Sequence, residues 1–122
     1  MNDRTAVILL ERIVVLLKLL VLKTPQLLVL KEFYEELGLV FVEEKHGRGP
    51  THYAAELGPV ILEFYPLPVN ERLNVHERLG FQVEDFSACL KRLKLAGVSI
   101  LKECQNGATI LDPDGRKIDL ER

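Results

Sequence analysis

The feature that most constrains the fold of this chain is an internal repeat. The stretch LKTPQLLVLKEFYEELGLVFVEE, residues 22–44, aligns with FQVEDFSACLKRLKLAGVSILKE, residues 81–103, at a constant shift of 59 positions. In this alignment Gly38 falls on Gly97, and apolar residues match at three further places: Leu27 with Phe86, Leu39 with Val98 and Phe41 with Ile100. Similarity at a fixed shift indicates that one structural unit is present twice.

Both copies predict the same order of elements. In the first copy KLLVLKT is typical of a strand, and QLLVLKEFYEELG has apolar residues at helical spacing, with Gly38 placed to end the helix. Three further strands are then predicted: LVFVEE, THYAAEL and VILEFYP. The second copy repeats the pattern with RLGFQV, the helix EDFSACLKRLKLAG, and the strands VSILKE, ATILD and RKIDLER.

This order predicts an α+β fold built from two βαβββ units, residues 17–66 and 76–122, within a single domain of residues 17–122. A unit of this size does not bury its sheet alone, so the two units are expected to pair. We therefore expect a curved mixed sheet with the helices on its outer face and a cleft on the inner face.

Residues 1–16 have no counterpart in the second copy and are interpreted as an extension. Arg4, Glu11 and Lys18 recur every seven residues in an apolar background, which predicts an N-terminal helix. Such a helix packs on the body of the domain or adds a contact between subunits. A membrane span is not expected, because these charges interrupt every apolar run before it reaches spanning length.

Composition and charge narrow the classes of partner. The 122 residues carry a formal net charge of −2, which argues against nucleic acid, because phosphate binding requires a basic excess. The two cysteines, Cys89 and Cys104, provide no disulfide framework and suit a reduced compartment. We expect a cytoplasmic protein that binds neither nucleic acid nor membrane.

The element order and several segments resemble the vicinal oxygen chelate superfamily, which includes glyoxalases, bleomycin-resistance proteins, extradiol dioxygenases and fosfomycin-resistance enzymes. The resemblance is carried by LKTPQ, FYEELGLVFVEE, ILEFYP and ILDPDGRKIDL, and it extends from about residue 16 to residue 120. It implies the paired-unit fold and a homodimer. It does not imply one activity, because this fold hosts many.

In the enzymes of this superfamily four side chains from the first and last strands of each unit bind a metal ion in the cleft. Strand periodicity and the repeat assign those positions here to four residues: Leu19, Glu63, Arg78 and Asp119. Leu19 has no lone pair, and Arg78 is a permanent cation without an acceptor. A metal cofactor is therefore not expected, although a weakly held divalent ion on Glu63 and Asp119 remains an alternative.

We expect Arg78 to lie between Glu63 and Asp119 and to replace the ion. The resulting group of three charged side chains in the cleft either anchors a ligand or has only a structural role. Three more residues are predicted to contribute to the ligand site: Tyr65, Gln82 and His52. A metal site of His52 and His76 with Glu63 is a further alternative that no spacing requires.

The resulting hypothesis is a homodimeric protein of the glyoxalase and bleomycin-resistance type that binds a small polar or anionic molecule without metal catalysis. One alternative is a metal-dependent lyase or dioxygenase of the same superfamily with an atypical site. A second alternative is a degenerate domain that serves protein–protein assembly.

Overall fold

The computed structural model describes residues 15–122, and it confirms an α+β fold of two βαβββ units. The first unit contains β1 (Leu19–Thr24), α1 (Leu27–Glu36), β2 (Phe41–Glu44), β3 (His52–Leu57) and β4 (Val60–Pro66). The second contains β5 (Arg78–Gln82), α2 (Phe86–Leu95), β6 (Ile100–Cys104), β7 (Gly107–Leu111) and β8 (Lys117–Glu121). The helix predicted for the first 16 residues lies outside the described residues except at its end, where residues 15 and 16 are exposed and not helical.

Each unit forms its own four-stranded sheet, with the order β1-β4-β3-β2 in the first and β5-β8-β7-β6 in the second. The first and last strands of each unit pair in parallel, and the other neighbours are antiparallel. Among residues 15–122 no ladder joins the two sheets, so the expected curved sheet consists of two halves. Residues of both halves, including Leu20 of the edge strand β1 and Phe81 of the edge strand β5, line a cavity of ≈ 270 Å³.

The two helices end in the same way, as the repeat predicts. Gly38 and Gly97 have φ values of 108° and 77°, which glycine adopts without steric cost. After α1 the Leu39 amide donates to the Tyr34 carbonyl, and after α2 the Val98 amide donates to the Leu93 carbonyl. These are Schellman caps, which satisfy carbonyl groups left free at a helix end.

One hydrophobic core is shared by both units. It contains Leu30, Phe33 and Tyr34 from α1 together with Leu62 and Phe64 from β4, and their counterparts from the second unit. That second set consists of Phe86, Cys89, Leu90, Leu93, Ile118 and Leu120. The faces of the sheets that pack on this core are therefore fixed, and the alternate residues of each strand point to the opposite face.

A buried polar network that was not predicted from the sequence also joins the units. Arg116, 1 % exposed, forms ion pairs with Glu77, Asp112 and Asp114 at distances of 2.7–3.3 Å. Its Nη2 atom donates to the carbonyl of Lys23 at the end of β1, 2.9 Å away. These carboxylates raise the pKa of Arg116 although burial acts to lower it.

Candidate functional site

The first sheet has an open face on the side away from α1. Along β4, Leu62 and Phe64 are buried in the core, whereas Ile61 is exposed and Glu63 is partly buried on the opposite face. Glu63 lies beside Val21 of β1 and Ala54 of β3 in the sheet register. The face bears a cavity of ≈ 470 Å³ lined by Val40, Val42, Glu44, Ala54, Glu56, Ile61 and Glu63.

At one end of this face the predicted site residues His52, Glu63 and Tyr65 lie together. His52 is 1 % exposed, and its Nε2 atom lies 3.7 Å from Glu63 Oε2 and 3.3 Å from the Tyr65 hydroxyl. The rings of His52 and Tyr65 stack with centroids 4.1 Å apart. Partial desolvation raises the pKa of Tyr65, and the charges of Glu63 and Glu44 add to this effect.

Two residues of this cluster were not predicted, Glu44 and His46. Glu44 is the register partner of His52 across the β2–β3 pair, and its Oε1 atom is 3.2 Å from His52 Nε2. His46 follows two residues later, with Nε2 3.9 Å from the same Glu44 oxygen. The signal was available in the sequence, because pairing LVFVEE with THYAAEL across KHGRGP places Glu44 beside His52.

The other predicted pair, Arg78 and Asp119, lies on the second sheet. Arg78 Nε donates to Asp119 Oδ2 at 2.6 Å, and Nη2 donates to Oδ1 at 2.9 Å. The Thr109 hydroxyl donates to the same Oδ1 at 2.7 Å. The hydrogen bonds from Arg78 and then Thr109 hold the pKa of Asp119 at about 2, and the bond to Asp119 raises the pKa of Arg78.

The structure does not place Arg78 between the two carboxylates. Within residues 15–122 Arg78 pairs with Asp119 alone, and Glu63 faces His52 on the other sheet. The expectation of a Glu63–Arg78–Asp119 triad is therefore corrected. It assumed that one continuous sheet brings the two sets of strands together, whereas β1 and β5 are separated by the intervening cavity.

Gln82 and His76 join neither cluster among the described residues. The Gln82 side chain is exposed at the end of β5, where Nε2 donates to the carbonyl of Arg122. His76 is exposed in the segment between the units, and its backbone amide donates to the Asn74 side chain. The alternative metal site of His52 and His76 with Glu63 therefore has no geometric support. The histidine that lies near His52 is His46.

The sequence model of the Glyoxalase/Bleomycin resistance protein/Dioxygenase superfamily matches residues 20–120. The chain belongs to this superfamily. The match covers both units and both clusters, and it confirms the resemblance carried by the FYEELGL and DPDGRKIDL segments. No curated protein sequence matches the chain.

Solved structures of several other proteins have the same fold. TnmS3, an antibiotic binding protein from a Streptomyces species, is 22% identical, with a TM-score of 0.68 over 88% of this chain and 95% of its own. YycE from Bacillus subtilis, described as a putative glyoxalase/fosfomycin resistance protein, is 26% identical, with a TM-score of 0.66 over 86% and 88%. The oxidase ChaP-H2 is 18% identical, with a TM-score of 0.71 over 88% and 93%. The neighbours thus include a binding protein and an oxidase on one fold.

The residues at the four metal-binding positions of the superfamily do not fit a divalent ion. Leu19 provides no donor atom, and Arg78 presents N–H groups that are already directed at a carboxylate. Both oxygens of Asp119 accept hydrogen bonds from Arg78. Glu63 remains as a single donor, and one carboxylate does not make a catalytic metal centre.

Within residues 15–122 neither helix is long and apolar enough to span a membrane.

Proposed function

We propose that this superfamily member binds a small polar molecule on the open face of its first sheet and does not use a metal at the four superfamily positions. The observation that carries the proposal is the ≈ 470 Å³ cavity around Glu63. Its size lies within the range of about 300–1,000 Å³ that is typical of small-molecule sites. The ion pair of Arg78 with Asp119 supports the second part, because it occupies two of the four positions.

The lining of the cavity indicates the chemistry of the ligand. Val40, Val42 and Ile61 are exposed there at 78%, 60% and 39%, and they offer apolar contact to a flat or aliphatic body. The three carboxylates at the cavity belong to Glu44, Glu56 and Glu63. A ligand that loses water in such a site is favoured when it carries a cation or N–H donors for these oxygens. We therefore propose that the polar ligand expected from the sequence is an amphiphilic molecule with a basic group or N–H donors.

An anionic ligand is the second candidate, at a different place. The ≈ 270 Å³ cavity between the sheets is lined by seven apolar side chains, a glycine and Arg78 as its one charged residue. Asp119 already holds two of the three guanidinium nitrogens, Nε and Nη2. An acidic ligand with an apolar body would therefore depend on the remaining N–H groups of Nη1 and Nη2.

TnmS3 is an antibiotic binding protein, which supports binding as a function that this fold serves. The enzyme alternative, a lyase or dioxygenase, requires a metal centre that the four superfamily positions do not supply. The assembly alternative would use the same exposed apolar face, on which Leu19 and Val21 of β1 are 51% and 40% exposed. We also propose a homodimer, since an exposed apolar face of this kind suits a contact between subunits.

A thermal-shift comparison of two matched probes tests the proposal. 2-Naphthylmethylamine and 2-naphthoic acid share a ring system and differ in charge, and EDTA in the buffer removes any metal contribution. We expect the amine to raise the melting temperature, with about 2.7 kcal/mol of stabilisation at 100 times its Kd. The acid is expected to have little effect.

Two variants locate the effect. Ala54→Phe fills the cavity and Glu63→Gln removes one carboxylate, and both should weaken the response to the amine. Glu84→Gln removes an exposed carboxylate away from this cavity and should leave the response to the amine unchanged.

Other outcomes would favour the alternatives. If 2-naphthoic acid stabilises the wild type and this stabilisation is lost in Arg78→Met, the second candidate is favoured. A response to neither probe, with a dimer that dissociates when Val21 or Val42 is replaced by Asp, would favour assembly.

A further inference from the structure

The cluster at the open end of the β2–β3 hairpin has the composition of a metal site. Glu44, His46 and His52 each offer one ligand atom, and these atoms lie within 4.8 Å of one another. Two imidazole nitrogens with a carboxylate oxygen form a donor set that suits zinc and its first-row neighbours. None of these three residues occupies a position at which the superfamily binds its metal.

The distances agree with tetrahedral coordination. Zinc–nitrogen and zinc–oxygen bonds of about 2.0–2.2 Å separate neighbouring ligand atoms by about 3.3–3.6 Å in a tetrahedron. The His52–Glu44 separation is 3.2 Å, and the His46–Glu44 separation is 3.9 Å. The exposed His46 side chain would have to shift to shorten the longer of these separations.

The orientation of His52 directs its ring nitrogen Nε2 toward two carboxylates. Its Nδ1 atom lies 3.3 Å from the carbonyl oxygen of Pro50, which only accepts, so Nδ1 carries the proton and donates. The opposite atom, Nε2, faces Glu44 at 3.2 Å and Glu63 at 3.7 Å, and both carboxylates are acceptors. The Tyr65 hydroxyl lies 3.3 Å from the same nitrogen and can donate to its lone pair, so a cation held by Nε2 and these carboxylates would replace that hydrogen bond.

The surroundings of His52 match those of a metal-bound histidine. A ligating imidazole usually donates its second N–H to a backbone carbonyl or a carboxylate, which fixes the ring. Here Pro50 accepts that bond, and the stacked ring of Tyr65 holds the imidazole plane. Because His52 is 1 % exposed, its direction is fixed by packing before any ion arrives.

We propose that Glu44, His46 and His52 bind a divalent transition-metal ion of the zinc type, with Glu63 as a second carboxylate beside it. The two carboxylates balance the charge of the ion. Glu44 and Glu63 also line the cavity of the proposed ligand site, so a bound ion would adjoin that cavity. The site does not depend on the proposed organic ligand, and metal binding alone tests it.

The test is isothermal titration calorimetry with zinc chloride in a non-coordinating buffer, using the full-length protein after EDTA treatment and gel filtration. We expect one zinc ion per chain. His46→Ala and Glu44→Gln should each weaken binding at least tenfold, the lower end of the roughly 10–100-fold loss seen when even a supporting partner of a metal ligand is removed. Both side chains are at the surface or only partly buried, so the variants are expected to fold.

His76→Ala is the matched control, because His76 is also an exposed histidine and lies outside the cluster. Cobalt(II) provides a second readout, since tetrahedral nitrogen and oxygen coordination gives intense visible absorption that His46→Ala should abolish. Loss of binding in His46→Ala with retention in His76→Ala supports the site. Absence of stoichiometric zinc binding, or equal losses in the two histidine variants, would overturn it. The amine probe is measured in EDTA, so failure of either proposal is distinguishable from failure of the other.

Discussion

The Arg78 guanidinium donates two hydrogen bonds to the carboxylate of Asp119, at 2.6 and 2.9 Å, across the parallel strands β5 and β8. The Cα partner of Asp119 in this ladder is Gly80, so Arg78 reaches the carboxylate diagonally. Such a fork-shaped pair fixes the orientation of both side chains. At the two superfamily metal positions of the second sheet, this chain therefore has an internal ion pair.

The ion pair of Arg78 with Asp119 predicts that the stability of the fold decreases at low pH. The pKa of Asp119 is about 2 in the folded chain, below its usual value of 3.8. A depressed pKa contributes stability that is present above pH 4 and lost as the pH falls through 2. Because the paired side chains are 54% and 42% exposed, we expect a contribution of about 1 kcal/mol or less.

Urea unfolding of the wild type and Asp119→Asn at pH 7, 4 and 2 measures this contribution. The difference between the two proteins should be largest at pH 7 and shrink between pH 4 and 2. Glu121→Gln, on the same strand, controls for a change in net charge. A difference that stays constant with pH would contradict the assignment.

Removal of the Arg116 side chain should be severely destabilising. Arg116→Met leaves the carboxylates of Asp112 and Asp114, both 0% exposed, without their cation. Breaking a buried ion pair from one side costs about 3–5 kcal/mol. Chemical denaturation measures the change, and Arg116→Lys should recover only part of it, because lysine lacks the guanidinium fork.

Arg92→Met is a matched control for this variant. Arg92 also joins the two units, by donating to the Glu36 carbonyl, but it is exposed. Its replacement should cost about 1 kcal/mol or less. Equal losses of stability in Arg92→Met and Arg116→Met would show that burial does not determine how much the Arg116 network stabilises the fold.

The β7–β8 pair allows no side chain at Gly107. A Cβ atom there would overlap the carbonyl oxygen of Leu120 on the neighbouring strand. Gly107→Ala should therefore destabilise the chain by about 1–3 kcal/mol or more, since backbone atoms must move. A Cβ at Gly80 would meet nothing closer than 4.0 Å, so Gly80→Ala should be neutral or stabilise by about 0.5 kcal/mol. Thermal unfolding of both variants measures these changes in stability. A larger loss in Gly80→Ala than in Gly107→Ala would contradict this packing.

The elements that the sequence predicted are those set by local periodicity. The alternation of Leu62 and Phe64 with Glu63 assigned the two faces of β4, and Gly38 and Gly97 marked the ends of both helices. These features depend on a few neighbouring residues, which the repeat presents twice. The homodimer and the cytoplasmic location stay predictions.

The site was predicted less well, because it depends on distances between units. The separation of Glu63 from Arg78 follows from how the two sheets meet, and strand periodicity carries no information on that. Arg116 was taken for the start of a strand, whereas the turn before it folds Asp112 and Asp114 back onto its guanidinium. His46 was not predicted as a site residue, and its side chain is 74% exposed, but the hairpin brings its ring within 5.1 Å of the His52 ring.

The most direct test of ligand binding on the first sheet is a ¹H–¹⁵N NMR titration of the protein with 2-naphthylmethylamine in the presence of EDTA. We predict saturable chemical-shift changes confined to the strands around the cavity, in residues 40–44, 54–56 and 61–63. These changes should be absent in Ala54→Phe. Shifts that cluster around Arg78 and Phe81 instead, or that appear only after zinc is added, would contradict metal-independent binding at this face.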